Sequence, residues 1–428
     1  MGYRRRILDD LLDEVFPHLA AVAIEGAKGV GKTETALQRS KTVYTMSDPK
    51  QRDILQADTG RISQVPPPVL IDEWQLLPQV WQSVKTLVDR NNAGGQYLLT
   101  GSAASSASHR VHSGAGRIVR LVMRPMTLGE RGLCTPTVSL TTLLEQTPGQ
   151  ASPSEITGES DIVLGDYAEE IVASGLPGLT QLPPRAARLQ LDSYLARALD
   201  HDLEESGYSV RRPGQLRAWL AAYAAASAST ASYTNILDAA TPGESDKPTR
   251  ATVIQYREAL ERLFLLDPLP AWIPSFAPLK RLTLGPKHHL VDPGLAARLL
   301  GVGVDDLLMG HGTSIGGQPG PLMGSLFESL AVQSVRVLAE SLGARVSHLR
   351  AKGGEHEIDI IVETEGLGVL ACEVKLSNTV TDRDVAHLLW LKKQMPTRVI
   401  DMVILNTGPY AYRRKDGVAV IPLALLGR

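Results

Sequence analysis

Eight consecutive residues near the amino terminus have the types and spacing of a loop that binds phosphate groups. Residues 26–33 read GAKGVGKT, follow an apolar run and lead into a segment with good helix formers. This is the G-x-x-x-x-G-K-[ST] pattern, in which backbone N–H groups and the start of a helix face the phosphates. Lys32 is expected to reach the β- and γ-phosphates of a nucleotide, and the Thr33 hydroxyl to bind Mg²⁺. The predicted nucleotide-binding residues are Gly26, Ala27, Lys28, Gly29, Val30, Gly31, Lys32, Thr33 and Glu34.

Two acidic residues follow a second apolar run, which is too short for a helix and typical of a strand buried in a parallel sheet. They are Asp72 and Glu73, after the sequence PVLI. Ligands of such sheets bind at the carboxyl ends of the strands, so we expect both acids beside the phosphate-binding loop. Asp72 would hold Mg²⁺ through its water shell, and Glu73 would polarise the attacking water. A solvated strand end is the alternative interpretation.

Two further strands carry polar residues at their ends. Thr100 and Ser102 close the run YLLTGS, and either hydroxyl is a candidate to contact the γ-phosphate or to orient the water. A turn without a catalytic role is the alternative there. Arg117 precedes the apolar residues 118–122 and is a candidate to stabilise transition-state charge on the nucleotide of a neighbouring subunit. A surface arginine at the start of a strand explains it equally well.

The last hundred residues contain a second set of chemically competent residues. The elements read helix, three strands, helix and strand, with Glu328 on the first helix, Asp359 on the second strand, and Glu373 and Lys375 on the third. Side chains two residues apart on a strand share one face. Carboxylates converging in this way are suited to divalent cations, which lower the pKa of a bound water. Lys375 would orient that water or neutralise a phosphate.

The stretches GAKGVGKT, VLIDEWQ, YLLTGSA and GAGRIVRLVMRPMTLGE, in this order, resemble bacterial AAA-type ATPases with a carboxyl-terminal domain of unknown function. The resemblance spans most of the chain. It implies that Lys32 and Thr33 bind the nucleotide and that Asp72 and Glu73 form the catalytic acid pair. It also implies that Thr100 is a polar sensor and Arg117 a finger acting in trans. The implied cofactors are ATP and Mg²⁺.

The carboxyl-terminal pattern resembles the PD-(D/E)xK nuclease fold, which includes Holliday-junction resolvases. The resemblance implies catalytic roles for Glu328, Asp359, Glu373 and Lys375, with Asp359 and Glu373 as ligands of Mg²⁺ or Mn²⁺. Three interpretations stay open: an active nuclease, a domain that binds nucleic acid without cleaving it, and a structural platform that keeps a relict acid cluster.

The middle of the chain is predicted to be helical. Residues 252–260 resemble the second helix of a winged helix-turn-helix, and residues 263–270 its hairpin wing. Arg250, Gln255 and Arg257 are then candidates to contact DNA. Winged helices also pack between domains without touching DNA, and this alternative is equally compatible with the sequence.

Composition sets limits on these hypotheses. The chain has 428 residues, 44 Lys and Arg, 46 Asp and Glu, and a formal charge of −2, so any nucleic-acid contact requires a local basic patch. Cys134 and Cys372 match no metal spacing and indicate a reducing compartment. No apolar run is as long as a membrane span, and we expect a cytoplasmic protein without a membrane partner.

We therefore predict an α/β protein in three parts. A P-loop, AAA+-like core with a parallel sheet spans residues 1–134, and a linker or exposed excursion rich in Ser, Thr and Pro spans 135–165. A winged-helix-like unit spans 166–309, a flexible junction 310–322, and a PD-(D/E)xK nuclease-like unit 323–428. The predicted function is Mg²⁺-dependent ATP hydrolysis coupled to binding or processing of DNA, in repair or defence. The alternative is a nucleotide-switched signalling or scaffold ATPase whose last unit docks a protein. A homo-oligomer is expected if Arg117 acts in trans.

Overall fold

The computed structural model describes residues 2–102, 116–146, 155–205, 207–208, 212–241, 243, 247–274, 285–310, 322–351 and 353–428. Two sheets dominate it, one near each end of the chain, and helices lie between them in sequence. A third sheet consists of two short strands that pair residues 138–139 with residues 426–427.

The first sheet has five parallel strands in the order β2-β3-β4-β1-β5. Its strands are β1 (Ala21–Glu25), β2 (Thr42–Thr45), β3 (Val69–Asp72), β4 (Tyr97–Gly101) and β5 (Ile118–Val122). The helices of this unit are α1 (Ile7–Val15), α2 (Lys32–Leu37), α3 (Pro49–Ala57), α4 (Gln79–Arg90) and α5 (Leu128–Arg131). Strands β1, β3 and β4 are buried along their whole length, which explains their continuous apolar runs. The predicted parallel sheet is confirmed.

The strand register decides which residues share an edge of this sheet. Glu25 pairs with Gly101, and Asp72 pairs with Thr100. The phosphate-binding loop after β1 and the polar ends of β3 and β4 therefore meet at the carboxyl edge. Ile118 pairs with Ala21 at the start of β1, so the residue before it lies at the opposite edge.

The middle of the chain is helical, as predicted. It contains α7 (Leu164–Ala173), α8 (Pro184–Arg197), α9 (Leu203–Glu205), α10 (Pro213–Ala225), α11 (Tyr233–Ala240), α12 (Arg250–Arg262), α13 (Pro293–Leu300) and α14 (Val304–Leu308). A π-helical turn, Ala198–Asp202, joins α8 to α9. Trp219 and Tyr223 on α10 are fully buried and anchor the core of this unit.

The segment predicted as a wing lies between units. We call residues 265–272 and 285–291 the ribbon, because Leu266 pairs with Leu290 and Leu269 with Lys287 in antiparallel bridges. The ribbon then meets the carboxyl-terminal sheet, where Ala271 pairs with His348. Leu266, Leu269 and Lys287 are buried. The buried leucines of the predicted wing therefore pack inside the protein, as in the alternative that we considered for it.

The carboxyl-terminal sheet has seven strands in the order β7-β12-β13-β11-β10-β9-β8. They are β7 (Gly158–Glu159), β8 (Arg345–Arg350), β9 (Glu357–Glu363), β10 (Val369–Val374), β11 (Val399–Asn406), β12 (Tyr410–Arg413) and β13 (Ala419–Pro422). The long helix α15 (Leu322–Glu340) precedes β8, and α16 (Ala386–Gln394) connects β10 to β11. The order from α15 to β11 is the predicted helix, three strands, helix and strand.

The predicted linker at 135–165 contributes to the carboxyl-terminal unit. It contains β6 (Val138–Ser139), which pairs with β14 (Leu426–Gly427), the short helix α6 (Leu140–Leu144), and β7, which pairs with β12. Strands of two residues leave no periodic signal in a segment rich in Ser, Thr and Pro. Residues 147–154 of that segment, and residues 311–321 of the junction predicted at 310–322, lie outside the described residues.

Among the described residues, α15 is the one helix long and apolar enough to cross a membrane by length and composition. Inside the protein, 72% of its apolar window is buried. The helix packs against α13 and β8, as expected of a core helix.

Candidate nucleotide site and buried acid cluster

The lysine of the phosphate-binding loop donates hydrogen bonds to the backbone of the same loop. Lys32 is the first residue of α2, and its Nζ donates to the carbonyl oxygens of Gly26 and Ala27 at 2.9 and 2.8 Å. Burial lowers the pKa of Lys32 to about 8, and the carboxylates of Glu73 and Asp72 oppose that decrease. The ammonium group therefore lies inside the loop and close to both predicted acids.

The backbone of the loop requires glycine at two positions. Gly31, the residue before α2, has a φ of 103°, in a region that favours glycine. Gly26 has a φ of 152°, and a Cβ there would lie 2.2 Å from the carbonyl oxygen of Met123. The close approach of the Met123 backbone thus fixes the residue type at the start of the loop.

Two other predicted site residues donate hydrogen bonds to Asp72. The Thr33 hydroxyl donates to Asp72 Oδ1 at 2.8 Å, and the Thr100 hydroxyl donates to the same oxygen. Asp72 and Thr100 are buried. A hydroxyl and a carboxylate are ligands that suit Mg²⁺, so Thr33 and Asp72 have the right chemistry and position for that ion. Thr100 contacts the nucleotide site through Asp72.

Glu73 is held by two polar neighbours. It follows β3 in a left-handed conformation, with a φ of 54°. Gln75 Nε2 donates to Glu73 Oε2, and the Ser102 hydroxyl donates to the same oxygen at 3.3 Å. The two neighbours also contact each other at 3.3 Å. One carboxylate oxygen is therefore positioned by both side chains. Ser102 was a candidate from the sequence, whereas Gln75 was missed.

The helical unit contacts the phosphate-binding loop through Lys28. Its Nζ lies 2.6 Å from Asp202 Oδ1 and 3.9 Å from Glu205 Oε2. Asp202 is buried at the end of the π-helical turn, a kind of distortion that is frequent at functional sites. These residues are 174 positions apart, and no local pattern in the sequence indicates their pairing.

The buried arginine Arg6 ties the loop to the end of the sheet. Its guanidinium donates to the carbonyl oxygen of Val30 at 2.7 Å and to that of Arg124 at 2.8 Å. Its Nε donates to Glu130 Oε1 at 2.9 Å. The amino-terminal segment thus supports both the loop and the residues after β5.

A groove of about 320 Å³ lies next to the loop. Its walls come from the amino-terminal segment, from the start of α2 and from the helical unit. Residues from these three sources include Tyr3, Gly31, Thr35, Pro177 and Gly178. Of the residues of the loop, Gly31 lines this groove.

A second polar cluster is buried between the ribbon and the carboxyl-terminal sheet. We call Glu328, Glu357, Asp359 and Glu373 the acid cluster. Lys287, from the ribbon, places Nζ 2.8 Å from Glu328 Oε1, 3.0 Å from Glu357 Oε1 and 2.8 Å from Asp359 Oδ1. Lys287 is 1% exposed. The sequence predicted the convergence of Glu328 and Asp359 but missed Glu357 and Lys287.

The other side of the acid cluster contains the predicted E-x-K pair. Lys375 Nζ lies 2.9 Å from Glu373 Oε2, and His387 Nδ1 lies 3.7 Å from Glu373 Oε1. Asp359 Oδ2 accepts a hydrogen bond from the backbone of Val374 at 2.9 Å, which places it beside the same strand. All four predicted residues of this unit are therefore brought into one region.

The carboxyl groups of the acid cluster differ in pKa. Burial and the charge of Asp359 raise the pKa of Glu328 to about 8 and that of Glu373 to about 7. Burial also acts on Asp359, but the cations Lys287 and Lys375 outweigh it and hold the pKa of Asp359 well below its ordinary value. The Lys287 ammonium therefore faces at least one fully ionised carboxylate.

Among the residues that the structure describes, no group of three or more His, Cys, Asp or Glu side chains is arranged to hold a metal ion. In the acid cluster, the Lys287 ammonium lies among the carboxylates that a divalent cation would need. In this conformation, these residues do not fit the metal that the nuclease resemblance implies.

Family models match three successive parts of the chain. Residues 19–131 match an AAA domain. Residues 164–306 match a domain of unknown function (DUF8612), and residues 323–426 match another (DUF4143). The AAA match covers the five-stranded sheet, the phosphate-binding loop and the acids at the end of β3.

Two relatives from mycobacteria resemble the whole chain. They are "Uncharacterized protein Rv2008c" from Mycobacterium tuberculosis and "Uncharacterized protein Mb2031c" from Mycobacterium bovis. Each is 22% identical over 415 residues, which cover 94% of this chain and 79% of the relative. The similarity therefore extends over the regions of this chain that match all three family models.

Arg117 lies outside the nucleotide site of its own AAA domain. It precedes β5 at the amino edge of the sheet and forms an ion pair with Asp89 of α4. Its side chain is 40% exposed. Any role at a nucleotide would therefore have to be at the site of another subunit.

The candidate DNA-contacting residues on α12 differ in their surroundings. Arg250 and Gln255 are exposed. Arg257 stacks over the ring of Tyr233 at 5.0 Å and lies 3.6 Å from Glu261. Two of the three are thus open to solvent, and the third is engaged within the helical unit.

Proposed function

We propose that this protein binds and hydrolyses ATP with Mg²⁺ at its AAA domain. The observation that carries the proposal is the convergence of Lys32, Thr33, Thr100 and Glu73 around Asp72. This arrangement joins a cation for the phosphates, two oxygen ligands for the metal, and a carboxylate for the attacking water. The alternative for Asp72 and Glu73, a solvated strand end without a catalytic role, would not explain why the phosphate-binding loop lies beside them.

Each group has a separate task in this proposal. The loop N–H groups and Lys32 bind the β- and γ-phosphates, and Mg²⁺ held by Thr33 and Asp72 would neutralise charge that develops on them. Glu73 orients the attacking water and accepts its proton. Gln75 and Ser102 hold one oxygen of Glu73, which leaves the other oxygen of the carboxylate for the water.

We infer that the helical unit responds to the nucleotide. Lys28 and the groove bring this unit within contact distance of the loop. A phosphate group would compete with Asp202 for Lys28, because both are anions. Binding of ATP is therefore expected to change the contact between the two units.

The second candidate function is action on nucleic acid in the cytoplasm. The observation that favours it is the convergence of Glu328, Asp359, Glu373 and Lys375 in a unit with the predicted strand order. The exposed residues Arg250 and Gln255 offer a further contact surface. A unit that docks a protein is the competing function.

The direct test of ATP binding compares Lys32→Ala with the wild type by titration calorimetry. The variant is expected to lose ATP binding, because the Lys32 ammonium is the cation that binds the phosphates of ATP. Lys50→Ala is the matched control, since Lys50 is exposed and distant in sequence from the loop. Unchanged affinity in Lys32→Ala would contradict the proposed site.

The test of the second function measures ATP hydrolysis with and without DNA at several salt concentrations. Stimulation that falls as salt rises supports contact with nucleic acid, since counterion release makes such binding salt-dependent. Identical rates with and without DNA, together with no retention of DNA on a gel, would favour protein docking.

A further inference from the structure

Lys287 makes contacts typical of a bound cation. Its ammonium donates hydrogen bonds to Glu328 Oε1 and Asp359 Oδ1, both at 2.8 Å, and forms an ion pair with Glu357 Oε1 at 3.0 Å. An ammonium group has three donors and no acceptor, so carboxylate oxygens are the partners that it requires. Carboxylates from a helix and a strand thus surround a single positive charge.

The cation comes from a different part of the chain than its ligands. The three carboxylates lie on α15 and β9, whereas Lys287 belongs to the ribbon. Two backbone hydrogen bonds with Leu269, both 2.9 Å long, fix the position of Lys287 in the ribbon. Withdrawal of the ribbon would therefore remove the ammonium and leave the carboxylates in place.

One ammonium does not satisfy the acid cluster. Glu373 is 4% exposed, and among the described residues its Oε1 has no hydrogen-bond partner. The His387 ring nitrogen is 3.7 Å away from that oxygen, beyond hydrogen-bond range. The two lysines, Lys287 and Lys375, therefore neutralise the acid cluster but leave this buried oxygen without a close donor.

We propose that Lys287 is an intramolecular cation that occupies the divalent-cation position of the acid cluster. While Lys287 holds this position, the carboxyl-terminal unit does not take up Mg²⁺ or Mn²⁺ at the acid cluster. The proposal rests on the metal chemistry of the second proposed function and is independent of ATP hydrolysis. The ribbon therefore blocks the acid cluster, and we call this role of the ribbon the plug.

The test measures Mn²⁺ binding to the nucleotide-free full-length protein by titration calorimetry and by thermal unfolding. Lys287→Met is expected to bind one Mn²⁺ per chain that the wild type does not bind, and its unfolding temperature should rise with Mn²⁺. Lys287→Met/Asp359→Asn is the matched control and should lose this binding. A folded Lys287→Met variant without Mn²⁺ uptake would overturn the proposal.

Lys287→Met leaves several carboxylates without a cation, so a second variant is used if it does not fold. Lys287→Met/Glu357→Gln removes one negative charge with the lysine, keeps the size of both side chains, and leaves Glu328, Asp359 and Glu373 unchanged. Mn²⁺ uptake by this variant supports the plug, and its absence overturns it. DNA cleavage is measured separately: uptake without cleavage would contradict only the nuclease function.

Discussion

Arg124 Nε lies 2.6 Å from Asp267 Oδ2, and this ion pair joins the AAA domain to the ribbon that carries Lys287. The same arginine also contacts Glu340 of α15, and Arg336 of that helix lies 3.0 Å from Asp267. The carbonyl oxygen of Arg124 accepts from Arg6, which contacts the phosphate-binding loop. A continuous series of polar contacts therefore runs from the loop to the ribbon.

The ion pairs of Asp267 predict a loss of stability in acid. Although burial opposes its charge, Arg124 and Arg336 lower the pKa of Asp267 to about 2, from the ordinary 3.8. Its stabilising contribution is therefore complete above pH 3.8 and disappears as the pH falls through 2. The wild type should exceed Asp267→Asn in unfolding temperature by an amount that shrinks over this range. A difference independent of pH would contradict this role.

The ion pair between Lys28 and Asp202 predicts an effect on ATP affinity. Asp202→Asn frees Lys28 for the phosphates, and the gain should be about fivefold or less, as for a partly exposed pair. Equilibrium titration with ATP measures it. Asp200→Asn is the matched control, because Asp200 is exposed and pairs with Arg217. Weaker ATP binding by Asp202→Asn alone would show that the contact supports the loop instead.

The contact between Ser102 and Glu73 predicts a selective effect on hydrolysis. Ser102→Ala removes one donor to the carboxylate and should slow phosphate release about three- to tenfold, the range for one hydrogen bond. ATP affinity should not change, because the hydrogen-bond partners of the Ser102 side chain among the described residues are Glu73 and Gln75. An equal loss of binding and hydrolysis would argue against a positioning role.

The place of Arg117 predicts a dependence on oligomerisation. If it acts on a neighbouring nucleotide, Arg117→Ala should lower the rate of hydrolysis and leave ATP affinity unchanged. The rate of the wild type should also increase with protein concentration. Sedimentation in the presence of ATP provides the second readout. A wild-type protein that hydrolyses ATP as a monomer would exclude this role.

Local patterns predicted the parallel sheet near the amino terminus and four of the seven strands of the carboxyl-terminal sheet, whereas β7, β12 and β13 were missed. The buried strands of the AAA domain have continuous apolar runs, and Asp72 and Thr100 end two of them, so their proximity follows from a parallel sheet. Likewise, the order of elements predicted that Glu328, Asp359 and Glu373 would approach each other.

Contacts made by packing between units could not be predicted from the sequence. Lys287 is 41 residues from Glu328 and 72 from Asp359, and Lys28 is 174 residues from Asp202. No periodicity connects such positions. The burial of the ribbon depends on the same packing, because a hairpin in sequence can project into solvent or lie between two units.

The measurement that tests the central claim most directly is a comparison of Glu73→Gln with the wild type in ATP binding and phosphate release. Glutamine keeps the size of the side chain but cannot accept a proton. The variant is therefore expected to bind ATP normally and to hydrolyse it hardly at all. Phosphate release at the wild-type rate would contradict the assignment of Glu73 as the catalytic base.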